Sequence, residues 1–264
     1  IIEMFAEWQP TLPQVACFDT VFHHDMPRVA QLLPLPRRFD AQGVRRYGFH
    51  GLSCDFIMKE LERVNPEKAK GRIIIAHLGN GASVTAVENG KSIDTSMGFT
   101  PTGGVLMSSR TGDIDPGALL YVMKHKNLSP EALSDILNHE SGLLGVSEIS
   151  SRMEVLLDHE ATDERAKEAV DLFCYEVKKQ IGAYMAALGG LDTLVFTAGI
   201  GENAPRVRSR ICSGLELFGI SLDEEKNSEQ AHIISIIGAP VRVLVMHTNE
   251  EQMIAHITET YINK

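Results

Sequence analysis

Apolar positions along this chain repeat at two spacings, and the spacings predict its elements. Ile73-Ile74-Ile75-Ala76 is an uninterrupted apolar run of strand length, and residues 191–196, with Leu194-Val195-Phe196 at their end, predict a second buried strand; residues 241–246 predict another. Residues 82–87 and 92–96 alternate instead, and the Glu88-Asn89-Gly90-Lys91 link between them carries the Asn-Gly hairpin signal. Residues 14–18 form one more short strand candidate. Elsewhere apolar residues recur every three or four positions. Phe56, Ile57, Leu61 and Val64 mark a helix with Ser53 as its cap. Val170, Phe173, Val177, Ile181, Tyr184 and Leu188 stripe a longer helix that starts near Asp163 and stops at Gly189-Gly190. Further helices are expected over 116–125 behind Asp115, over 130–139 behind Ser129, near 151–158, over 1–8 before Pro10 and Pro13, and from 250 to about Asn263. A hairpin followed by strands alternating with helices is an α/β pattern.

Two of the apolar runs end in glycine turns. His77-Leu78-Gly79-Asn80-Gly81 leads into the hairpin, so it lacks the third spaced Gly and the following helix of a dinucleotide fold. Such a turn either aims successive backbone N–H groups at a phosphate or is an ordinary hairpin loop. Gly199-Ile200-Gly201-Glu202-Asn203 follows the second run and is expected to open a helix near Pro205, where anions and polar ligands are favoured.

Other chemistry-bearing residues lie between these elements. Asp19 closes a strand candidate and is either a ligand-facing acid or a turn residue. In residues 45–51, two arginines, Phe49 and His50 combine oxygen donors with an apolar wall; the bland alternative is a structural histidine. Arg110 stands in a long Gly-rich loop over 96–112, placed to reach an anion or simply exposed. Glu250 is either a first-turn acid satisfying the helix dipole or a hard oxygen ligand for Mg²⁺.

Composition narrows the function classes. With 264 residues, 44% hydrophobic and 23% charged, and no apolar run of membrane-spanning length, the chain reads as soluble and large enough for one big domain or two. A net charge of −10 argues against a general nucleic-acid binder. Cys17, Cys54, Cys174 and Cys212 are far apart with no CxxC pair, which points to reduced thiols in a cytoplasmic protein. Ten histidines without an HExxH spacing argue against structural zinc. The opening Ile1-Ile2-Glu3-Met4 is neither an initiator methionine nor a signal sequence, and reads as a start partway through something longer.

Taken together, FDTVFH (18–23), RRYGFHG (45–51), AHLGNGAS (76–83), MGFTP (97–101), RTGDIDP (110–116), FTAGIGENAPRVR (196–208) and TNEE (248–251) closely resemble the acetate kinase family, in the same order across almost the whole chain. The resemblance implies an α/β fold with a ribonuclease-H-like, actin-like ATPase lobe, a mixed sheet flanked by helices. It implies residues 1–20 as a remnant of an N-terminal lobe, 21–251 as the nucleotide-binding lobe, and 252–264 as a helix returning toward the missing lobe. The implied reaction is Mg²⁺-dependent phosphoryl transfer between ATP and acetate, giving ADP and acetyl phosphate, in a cytoplasmic homodimer; propionate or butyrate kinase and a non-catalytic lobe are the alternatives. By position, Asp19 matches the active-site acid, and His50 and Arg110 match the transition-state stabilisers. His77, Leu78, Gly79, Asn80 and Gly81 fall on the phosphate loop, and Gly199, Ile200, Gly201, Glu202 and Asn203 on the nucleotide turn. Phe49 and Pro101 match the acyl-pocket walls, and Glu250 the Mg²⁺ residue. The family's Ser-Ser-Asp-x-Arg appears here as Ser150-Ser151-Arg152-Met153-Glu154, with both charges exchanged, and its GTSH as Gly51-Leu52-Ser53-Cys54.

Overall fold

The structure, a computed structural model, describes residues 1–262. Its centre is a five-stranded mixed sheet in the order β3-β2-β1-β4-β5, formed by β1 (Arg72–Leu78), β2 (Ala82–Glu88), β3 (Lys91–Thr95), β4 (Thr193–Thr197) and β5 (Arg242–Val245). β1, β2 and β3 pair antiparallel, with Ile75 opposite Thr85; β4 and β5 add in parallel, with Ile75 beside Val195 and Val195 beside Leu244.

Helices cover both faces, which is why the central strands read as unbroken apolar runs. Successive side chains on a strand point to opposite faces. Ile73, Ile75, Val87, Val195 and Leu244 therefore meet Cys54, Ile57 and Leu61 of helix α1 (Gly51–Val64). Ile74, Ala76, Val84, Leu194, Phe196 and Val243 meet Val170, Phe173, Val177 and Ile181 of helix α2 (Glu164–Leu188). Asp163 caps α2, and Gly189 ends it in the left-handed region at φ 67.

Three expectations are corrected. Residues 14–18 pair with no strand among the described residues; they run beside the last helix, α3 (Glu250–Ile262), along one apolar groove. Ser53 does not cap α1. That helix starts at Gly51 with His50 at its N-cap, and Ser53 points across the sheet end toward His77. The helix expected over 130–139 is regular only over Pro130–Asp135 and widens into a π turn over Ile136–Glu140. There the Leu137 carbonyl accepts from the Thr111 N–H at 3.1 Å and the Asn138 carbonyl from the Ser109 hydroxyl at 2.9 Å, so a loop takes carbonyls that a continuing helix would use. The helix expected near Pro205 forms as Pro205–Cys212, and the glycine turn ahead of it is itself helical over Ala198–Asn203.

The helix expected to reach Asn263 is described to Ile262; Asn263 and Lys264 lie outside the described residues. No helix of the described residues is long and apolar enough to cross a membrane. The short helix expected over 1–8 forms as Ile2–Trp8.

Candidate active site

The C-terminal ends of the parallel strands β1, β4 and β5 lie side by side, where open α/β sheets gather ligand-binding loops. Residues 77–81, 198–203 and 247–250 leave those ends together, and the predicted site residues sit on or against them.

Asp19 is spent on building the site. Its Oδ2 accepts from the His50 N–H at 2.7 Å and its Oδ1 from the Leu52 N–H at 3.3 Å, while its own carbonyl accepts from the Gly51 N–H at 2.8 Å. A carboxylate at the start of α1 satisfies orphan donors and suits the helix dipole. It thereby holds His50 in the left-handed conformation at φ 59. The His50 ring stacks on His77, centroids 3.9 Å apart, with Nδ1 3.0 Å from Ser83 Oγ.

Burial pulls His50 down to about 4; Asp19 opposes the shift, and Arg110 and His23 add to it. Burial and the neighbouring His50 likewise hold His77 well below its ordinary value. Both rings are neutral at pH 7 and stack without repulsion. Folded His50 takes its proton near pH 4 while the unfolded chain takes it near 6.5, so the unfolded state binds more protons between those values. His50 therefore costs no stability above pH 6.5 and weakens the fold as the pH falls toward about 4. Its ring protons, followed by NMR, are expected to titrate near pH 4. A midpoint near 6.5 would show the imidazole solvated rather than packed.

Arg110 approaches from the other side. Its Nη1 donates to the Pro101 carbonyl at 3.2 Å, and among the described residues it forms no ion pair. His50 and Arg110 converge over Gly81: a Cβ there would lie 3.1 Å from His50 Nε2 and 3.3 Å from Arg110 Nη1. Phe49 is partly buried against the core, and its carbonyl accepts from His23 Nε2 at 3.0 Å.

A cavity of about 570 Å³ opens between the two glycine turns. Gly79 and Asn80 line one wall, and Gly199, Ile200 and Asn203 the other. Leu78 and Gly201 face away from it: Leu78 is core, and the Gly201 carbonyl accepts from Arg208 at 2.9 Å. Glu202 also turns inward, onto the backbone of its own turn and of Thr248. At the cavity mouth Arg152 and Glu154 pair with each other at 2.6 Å.

The profile of the acetokinase family matches residues 1–256. The chain belongs to the acetokinase family. It is 47% identical to the acetate kinase of Clostridium botulinum (strain Alaska E43 / Type E3) over 97% of this chain, and 49% identical to that of Nitrobacter hamburgensis over 94%. The chain spans 66% and 61% of the length of these curated relatives. Among solved structures, Porphyromonas gingivalis acetate kinase superposes with a TM-score of 0.93 at 40% identity, over 99% of this chain and 67% of that one. A propionate kinase from Francisella tularensis gives 0.91 at 39%, over 96% of this chain and 66% of that one. The mixed sheet flanked by helices is thus the acetokinase-family, actin-like ATPase fold.

Sequence reasoning missed three groups in this acetokinase site. Ser53 and Thr248 join hydroxyls at 2.8 Å beneath His77, and Arg208, fully buried, holds the Gly201 and Glu202 carbonyls at 2.9 and 2.8 Å. Nothing in the local pattern of an amphipathic PRVR helix start separates Arg208 from a surface arginine.

The acetokinase resemblance implies Mg²⁺. Among the described residues no cluster of three or more His, Cys, Asp or Glu side chains could hold a metal alone. Glu250 is half-buried, and burial followed by the charge of Asp19 pushes its carboxyl above the ordinary range. One or two such oxygen donors fit a Mg²⁺ that keeps waters and takes its other ligands from phosphates.

Proposed function

We propose that this chain carries the nucleotide-binding and phosphoryl-transfer machinery of an acetate kinase, acting on acetate and ATP. The observation that carries the reading is the convergence of His50 and Arg110, which forms no ion pair among the described residues, over Gly81, the next residue after the Gly79-Asn80 wall of a cavity whose other wall is the second glycine turn. Arrangements of this kind serve anion transfer: backbone N–H groups cradle phosphates, and fixed donors face the group that moves.

In the proposed reaction an acetate oxygen attacks the γ-phosphorus of ATP in line. The new P–O bond forms as the bond to the β-phosphate oxygen breaks, and ADP leaves with the electron pair. Positioning and neutralisation of charge supply the catalysis in such transfers. Arg110 offers a guanidinium to the equatorial oxygens, and neutral His50 an imidazole N–H at Nε2. His77 supports His50 by stacking. Asp19 acts by holding His50 and the first turn of α1, because a carboxylate nucleophile is already ionised at neutral pH and needs no base. Glu250 and the nucleotide phosphates would hold Mg²⁺, which when bound neutralises phosphate charge. Phe49 and Pro101 wall the acyl pocket, Pro101 being tied to Arg110 through its carbonyl. The same reading takes the protein as a cytoplasmic homodimer, with residues 1–20 and the helix from 252 onward bordering a second lobe.

The test is acyl-phosphate formation, trapped as the hydroxamate, with ATP, Mg²⁺ and each of acetate, propionate and butyrate. Acetyl phosphate as the main product is expected. Preference for propionate would move the protein to the second reading, which the Francisella propionate kinase likeness favours. No product with any acid from a protein that binds ADP would leave a nucleotide-binding lobe only.

A further inference from the structure

Glu202 poses a physical problem. A carboxylate in a turn that cradles phosphates would repel them, yet among the described residues no Lys or Arg pairs with it and its one ion-pair partner is the exposed His247. The structure resolves this by turning the side chain, 12% exposed, away from the cavity and into a junction of two turns. Oε1 accepts from the Ala198 N–H at 2.8 Å, the Thr248 N–H at 3.2 Å and the Thr197 hydroxyl at 3.3 Å; Oε2 faces His247 Nδ1 at 2.5 Å. The Thr197 and Ala198 groups begin the nucleotide turn, and those of His247 and Thr248 belong to the turn that delivers Glu250. Thr248 continues the connection: its Oγ1 donates to Ser53 Oγ at 2.8 Å, and Ser53 reaches His77 Nδ1 at 2.8 Å.

We propose that Glu202 is a positioning residue, a strut through Thr248 that fixes the Glu250 turn against the nucleotide turn and so couples metal binding to nucleotide binding. The proposal rests on the kinase reading above and deepens it. Without the strut, β4 and β5 would still align, since the Met246 N–H donates to the Phe196 carbonyl at 3.0 Å. Beyond that bond, the path from Met246 to Glu250 runs through His247, Thr248 and Asn249, and the Glu202 carboxylate contacts the first two. A ligand pair bound on one rigid junction shares its ordering cost; on two independent turns it does not. Coupling of this kind is reciprocal and is read as a ratio of affinities.

Glu202→Leu keeps most of the bulk but removes both acceptor oxygens, so the Ala198 and Thr248 N–H groups lose their shared partner. The experiment is calorimetric titration of the full protein with ADP, with and without Mg²⁺. For the wild type, Mg²⁺ is expected to tighten ADP binding; in Glu202→Leu that enhancement ratio is expected to fall about tenfold. An unchanged ratio, whether both affinities hold or both fall together, would overturn the proposal, because a ligand-contacting or merely structural role moves the two affinities equally. If Glu202→Leu does not fold, Thr248→Val removes only the hydroxyl arm to Ser53 and is expected to lower the ratio in the same direction; an unchanged ratio there counts against the strut. Absence of ADP binding by the wild type would sink the kinase reading, and the strut with it. Wild-type Mg²⁺ enhancement that survives in the variant sinks the strut alone.

Discussion

Arg110→Ala is expected to lower the turnover of acyl-phosphate formation by about 10³-fold, the scale seen when a positioned cation is removed from a phosphoryl-transfer site. The expectation rests on an arginine that forms no ion pair among the described residues and whose guanidinium is aimed at Gly81. A surface arginine would be solvated and free to swing. This one is held by the Pro101 carbonyl, and its loop is braced from below by the π turn, through Thr111 N–H to Leu137 and Ser109 to Asn138. Arg110→Lys keeps the charge but loses the planar fork, so its turnover is expected to fall between the two. Steady-state kinetics in both nucleotide and acid, beside a thermal melt, decide the matter. A loss under about tenfold with an unchanged melt would remove Arg110 from the transition-state role.

The largest expected effect on stability lies at a position the motifs do not mark. Gly142 has φ +62, and a Cβ there would lie 2.2 Å from the Met107 carbonyl oxygen and 2.7 Å from that of Arg110. Both neighbours are backbone and cannot swing aside. Gly142→Ala adds about 1 kcal/mol for the left-handed conformation and about 2 kcal/mol for the forced shift, roughly 3 kcal/mol in all. Because that shift falls on the arginine loop itself, turnover is expected to drop with stability. Urea unfolding reads the first and kinetics at low temperature the second. A stability loss below about 1 kcal/mol would mean that the loop yields easily and is not braced as described.

Much of the fold was legible because its signals are local. The apolar runs at 73–76 and 191–196, the Asn89-Gly90 hairpin and the caps at Asp115, Ser129 and Asp163 each depend on a few adjacent residues, and each formed where expected. Residues 14–18 show the opposite case: an apolar stretch has strand propensity, but a strand exists only when another offers it hydrogen bonds. Ser53 fails as a cap for a related reason. Asp19, distant in sequence, already satisfies the N–H groups at the start of α1, which frees the serine to face His77.

The sequence by itself determined the family, the order of elements and the residue types at the site, since ordered blocks such as AHLGNGAS and GIGEN are read without coordinates. Only the tertiary structure decided what those residues face. It brought His50 and Arg110 together over one glycine, turned Glu202 away from the cavity it was expected to line, and paired Arg152 with Glu154 at that cavity's mouth. Side-chain direction is set by which donors and charges packing brings within 3 Å, and for these residues those partners come from other elements of the chain.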